Sequence, residues 1–209
     1  MNAQQAPGTG LGDLLTRGDT LQLLMAFFGL LLFAVAITWP TAPGPNDSWY
    51  TLVQVKAGAL LLLSVGYGGS VALAPRAASC AALGVPLVFW ALGLPFELTT
   101  YAATHPEAPL WWSLVTRPLG VLGYFGVGLV CGRALARARA ALPLIPPLVL
   151  VGTISFDVWL GRAVLSPVAV AGGVSLPHVG AMALLGGLTL VLLTRAPAHP
   201  AGHNEIHAD

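Results

Sequence analysis

The chain has 209 residues, of which 56% are hydrophobic and 8% charged, with a formal net charge of +1. Soluble domains carry about 25% charged residues, because charge covers the surface that meets water, so most of this surface faces something else. The mean hydropathy of +0.80 excludes intrinsic disorder, and the absence of a basic excess excludes a nucleic-acid partner.

Crossing ~30 Å of hydrocarbon takes roughly 20 apolar residues. Six runs reach that length: Leu21–Trp39, Tyr50–Leu73, Ala77–Leu98, Leu110–Cys131, Leu142–Leu165 and about Val174–Leu193. Residues 1–18 precede them as a cytoplasmic segment, residues 19–195 hold the six-helix domain, and a flexible tail covers 196–209. Turn chemistry separates the runs: Pro40 to Ser48, Ala74-Pro75-Arg76, Thr104-His105-Pro106-Glu107, Arg133 to Ala141, and Ser166 to Gly173. Transmembrane strands alternate with period two, and these runs are continuously apolar. The fold class is an all-α, polytopic membrane bundle.

Ala34-Val35-Ala36 resembles a signal-peptide cleavage site, with Arg17 ahead of it. The apolar run nevertheless exceeds the usual ~7–15-residue core, and Asp13 and Asp19 make its leader acidic, which favours a retained helix.

Orientation follows from the arginines. Arg17, Arg76, Arg133, Arg137, Arg139 and Arg195 fall on one set of ends and connections, whereas Pro40–Trp49, Thr99–Pro109 and Ser166–Gly173 hold no Lys or Arg. The positive-inside rule then makes both termini cytoplasmic. An even number of spans requires the same thing. Trp39, Trp49, Tyr50, Tyr101, Trp111 and Trp112 cluster at the outer ends, as an interfacial belt does. A bacterial inner membrane suits so compact a bundle.

Ionisable side chains inside a span cost on the order of 2.5–3.5 kcal/mol at the centre, so each needs a reason. Lys56, Arg117 and Asp157 lie six to eight residues inward from the outer ends of their spans, about 9–12 Å below the surface at 1.5 Å per residue. His178 and Glu97 belong to the same leaflet, with Trp90 and Trp159 as apolar walls. Lys56 and Arg117 can snorkel outward. Asp157 is too short for that, and Arg162 is about 140° round the helix from it, so its partner is expected on another helix: Arg117, Lys56 or His178. The positive excess suits a small polar or anionic ligand. Pro118, Pro177 and Pro95 stand close to Arg117, His178 and Glu97, where a freed carbonyl is tolerated beside protein or water.

Other features carry packing rather than chemistry. Gly128-x-x-x-Gly132 permits close helix approach. Cys80 and Cys131 are too few for a metal motif. His199, His203 and His207 are spaced by four, but Pro200 and Gly202 oppose a helix, so no metal or other cofactor is called for. No internal repeat is evident, which leaves an inverted-repeat transporter unsupported. His178 is the only histidine in a span, which excludes two haems held by paired histidines. An intramembrane serine protease of the rhomboid type needs Gly-x-Ser-Gly where this chain reads Gly120-Val-Leu-Gly123.

Three functions remain. The first is a small-solute binding or transport protein with a site in the outer half of the bilayer, lined by Lys56, Arg117, Asp157, His178, Glu97, Trp90 and Trp159. The second is a non-catalytic subunit of a larger membrane complex, its charges paired with a partner subunit. The third is a membrane enzyme acting on a lipid-linked substrate, with His178 as acid or base and Arg117 as anion stabiliser. Membrane lipids are partners in all three.

Overall fold

The computed structural model describes residues 47–95, 98, 110–166 and 176–195. Among these residues the regular structure is helical, with no strand. The elements are α1 (Asp47–Ser70), α2 (Arg76–Leu92), α3 (Leu110–Ala134), a 3-10 segment over Arg139–Leu144, α4 (Ile145–Leu160) and α5 (Leu176–Thr194). The predicted first span, the terminal segments 1–18 and 196–209, and Glu97 lie outside the described residues.

The predicted second, fourth and sixth spans coincide with α1, α3 and α5 to within a turn. The third and fifth are corrected. Ala77–Leu98 was expected as one run, but α2 ends at Leu92, where Gly93 closes it by donating to the carbonyls of Phe89 and Trp90. Leu142–Leu165 was expected as one helix, but a 3-10 segment containing Pro143 leads into α4, which stops at Leu160. Gly161 takes φ 65°, the left-handed conformation that spares a residue without Cβ any steric cost. Its N–H reaches the Val158 carbonyl and the Arg162 N–H reaches the Asp157 carbonyl, each at 3.2 Å. That is a Schellman stop, which satisfies two carbonyls the helix end would leave open.

Helix directions follow from the facing residues. Gly128 meets Val65 and Gly69, and Gly132 meets Ala72, so α1 and α3 run parallel. Gly120 meets Met182, Gly123 meets Leu185 and Gly126 meets Thr189, so α3 and α5 also run parallel. Lys56 touches Gly93 and Ser79 touches Val71, making α2 antiparallel to α1. Gly66 meets Pro146 at the start of α4, and Tyr124, level with Leu61, reaches Leu165 beyond its end, so α4 is antiparallel to α1 as well. The backbones of α1 and α3 come so close that a Cβ at Gly68 or Gly128 would strike the opposite carbonyl. Small residues permit this approach, and it suits helices that gain nothing hydrophobic by associating in lipid.

The core lies along these seams. Phe89, Phe125, Leu61, Leu129, Met182, Val65 and Val85 are fully buried. The outward faces are equally apolar: Leu148, Val151 and Val158 on α4 and Leu176, Leu184 and Leu188 on α5 are exposed. Three segments, Leu114–Ala134, Ala140–Leu160 and Leu176–Thr194, are long and apolar enough to cross a membrane. A contiguous apolar surface of this kind in water would drive association; hydrocarbon matches it.

Candidate functional site

The constant offset between facing residues sets the level of each polar group. Lys56 on α1, Arg117 on α3 and His178 on α5 fall within about one turn of each other along the bundle. Arg76, Arg133, Arg137 and Arg195 occupy the opposite end. The side chains at the shared level divide between two places.

The first is the end of α2. Lys56 is buried, and its Nζ donates to the Gly93 carbonyl at 2.9 Å. A helix C-terminus presents unpaired carbonyls and a partial negative charge, so an ammonium there is matched on both counts. Gly93 leaves room for it: a Cβ would come within 3.0 Å of Lys56 Cε. Trp90, one turn earlier, packs against Leu60, Val85 and Phe89, and its buried Nε1 has no hydrogen-bond partner among the described residues.

The second is the stretch 161–166. This backbone is not helical, yet it lies against the bundle, where every N–H and C=O needs a partner. Asp157 is 3% exposed. Its Oδ1 accepts the Leu165 N–H at 2.9 Å and its Oδ2 the Ser166 N–H at 2.7 Å. The Tyr124 hydroxyl donates to the Leu165 carbonyl. His178 Nδ1 lies 2.9 Å from the Val164 carbonyl. A carbonyl only accepts, so Nδ1 carries the proton in this contact. Three side chains from three helices thus hold one short piece of backbone.

This corrects the expectation for Asp157. Both carboxylate oxygens are engaged by backbone amides of the connection that follows its own helix, and no partner from another helix is required to satisfy them. Asp157 also lies one turn from the end of α4, because that helix stops at Leu160. The early stop moves Arg162 out of the helix into the connection, at the end opposite Arg76, Arg133, Arg137 and Arg195. Trp159 is corrected as well. It is 81% exposed, stacked obliquely on Phe156 with ring centroids 6.2 Å apart, and forms no wall beside Asp157.

Between α1, α3 and α5 lies a cavity lined by Arg117, Thr116, Gly120, Tyr124 and His178, closed on the α1 side by Ala57, Leu60 and Leu61. Its volume is about 20 Å³, which admits about one water molecule. Pockets for drug-sized solutes measure roughly 300–1,000 Å³. Of the predicted residues, Arg117 and His178 therefore share a cavity, Asp157 supports the backbone beside it, and Lys56 and Trp90 belong to the α2 end.

Tyr124, Thr116 and Ser166 were not anticipated. Tyr124 could have been found from spacing: Arg117, Gly120 and Tyr124 stand at i, i+3 and i+7, one face of a helix. Among the described residues, no three His, Cys, Asp or Glu side chains come together as a metal site. The chain matches no family model, no curated protein and no solved structure.

Proposed function

We propose that this is a six-span membrane protein with both termini cytoplasmic, in the inner membrane of a bacterium, that binds or carries a small polar or anionic solute. The solute reaches Arg117 from the outer face. The observation that carries this reading is the cavity that Arg117, His178 and Thr116 share between parallel helices. A guanidinium held there offers several fixed donors to a carboxylate or phosphate, and Thr116 and His178 add polar atoms beside it. Among the described residues, stretch 161–166 is the non-helical backbone bonded to Tyr124 and His178 of the cavity wall, and its shift would enlarge the water-sized space.

The test is thermal unfolding in lipid nanodiscs with chloride, nitrate, formate, acetate and phosphate each added at rising concentration. At least one is expected to stabilise the wild type in a saturable manner, and Arg117→Gln is expected to lose the effect while Lys56→Met keeps it. No saturable effect from any of them, or one that survives Arg117→Gln, rejects the site.

A second reading is a subunit of a larger membrane complex. It is favoured by the size of the shared cavity, about 20 Å³, far below that of a pocket for a drug-sized solute. A partner chain co-purifying at fixed stoichiometry, with rapid degradation of this chain when it is made alone, would support it over the first.

A further inference from the structure

We infer that the groove between α3 and α5 seats one anionic phospholipid, with an acyl chain in the groove and the phosphate on Arg195 and Arg137. The inference rests on the membrane placement proposed above and is independent of the solute site.

The groove encloses about 230 Å³ and is lined by apolar surface. Its floor is Gly126 against Thr189, where the missing side chain lets the two helices touch. Thr189 turns its hydroxyl back onto the Leu185 carbonyl at 2.8 Å, so the floor makes no polar demand on an occupant. Val130 stands on one side and Leu188 and Leu192 on the other. An elongated, open, wholly apolar trough suits an alkyl chain and offers nothing to orient a compact polar molecule.

The ends of the walls decide which lipid. On α5 the row Leu185, Leu188, Leu192 continues at helical spacing to Arg195, whose N–H still bonds the Val191 carbonyl and so keeps the helical register. On α3 the row through Val130 and Ala134 leads to Arg137 in the turn beyond. Both arginines are exposed. Arg133 differs, because its Nε already donates to the Ala72 carbonyl at 3.1 Å. Among the described residues the acids are Asp47 and Asp157, both at the other end of the bundle. An apolar trough ending at two exposed arginines has the charge pattern of a phospholipid with a net negative headgroup, and basic sites between helices on the cytoplasmic side hold such headgroups.

The test compares two lipids with identical chains, dioleoyl phosphatidylglycerol and dioleoyl phosphatidylcholine, added to delipidated full-length protein and read by native mass spectrometry. Recovery of the protein in the soluble fraction without detergent would remove the membrane placement itself and is checked first. The expected result is a first binding event at least about tenfold tighter for the glycerol lipid. In the Arg195→Gln/Arg137→Gln variant the two lipids should bind alike. Leu188→Trp, which fills the trough from an exposed position, should weaken the first event for both. Equal binding of the two lipids by wild type, or a preference unchanged in the double variant, overturns the inference.

Discussion

Asp157 and Ser166 close a ring of backbone and side chain across the end of α4: the Ser166 N–H donates to Oδ2 at 2.7 Å while Oδ1 takes Leu165. With the Arg162 N–H on its own carbonyl, one residue satisfies three amides of the stretch that follows it. A carboxylate carries acceptors only, and here two donors meet it. Asp157→Asn keeps one acceptor and turns an NH₂ group toward the other amide. It should cost about 1–3 kcal/mol, the penalty of one buried unsatisfied donor. Asp157→Ala should cost more. Denaturant unfolding in micelles measures both, and an Asn variant as stable as wild type would show that the carboxylate is not what holds 161–166.

Lys56 and Gly93 make a second pair that a double-mutant cycle can isolate. Lys56→Met removes the ammonium from the end of α2, and Gly93→Ala pushes a methyl group to within about 3.0 Å of Lys56 Cε. Each alone should destabilise by about 1–3 kcal/mol, through the unpaired carbonyl in one case and overpacking in the other. Together they should cost less than their sum, since the methyl group then meets no lysine. Strict additivity would mean that the contact contributes nothing.

Gly126 and Thr189 set the spacing of α3 and α5. A Cβ at Gly126 would collide with the Thr189 side chain, so Gly126→Ala should destabilise by about 1–3 kcal/mol. Thr189→Ala removes the hydroxyl and methyl but leaves its Cβ 2.9 Å from the added one, so the double variant should recover only part of that loss. At Gly128 the obstacle is the Val65 carbonyl, which no second-site truncation can remove. Gly128→Ala should therefore cost more and resist rescue. Unfolding midpoints of the four variants test the difference between a side-chain and a backbone obstacle.

The positions of α1, α3 and α5 were legible because each is a long apolar run flanked by turn residues. The shared level of Lys56, Arg117 and His178 was legible too, since it needs only a residue count from each span end. The end of α4 was not. Ala163, Val164 and Leu165 are apolar and extend the hydropathy count, whereas the stop depends on Gly161 adopting a left-handed conformation. The partners of Asp157 were hidden for the same reason: contacts to residues eight and nine positions later exist only once the chain has reversed. Trp159 is a different case. Two residues from Asp157 is about 200° round a helix, so the angle alone separates it from any site Asp157 could line.

Ala138 and Arg162 flank the segment Ala140–Leu160, and they decide whether it crosses. The 16 residues of α4 rise only about 24 Å, but the six residues of the 3-10 segment add about 12 Å, enough together for ~30 Å of hydrocarbon. The arginines agree in direction: Arg76, Arg133, Arg137 and Arg195 lie at the Ala138 end and Arg162 stands at the other. In a background with Cys80 and Cys131 replaced by Ala, Ala138→Cys should react with a membrane-impermeant maleimide only in inverted vesicles. Arg162→Cys should react only in right-side-out vesicles. Labelling of both cysteines from the same side would mean that α4 does not cross, and the even span count and the cytoplasmic placement of both termini would fall with it.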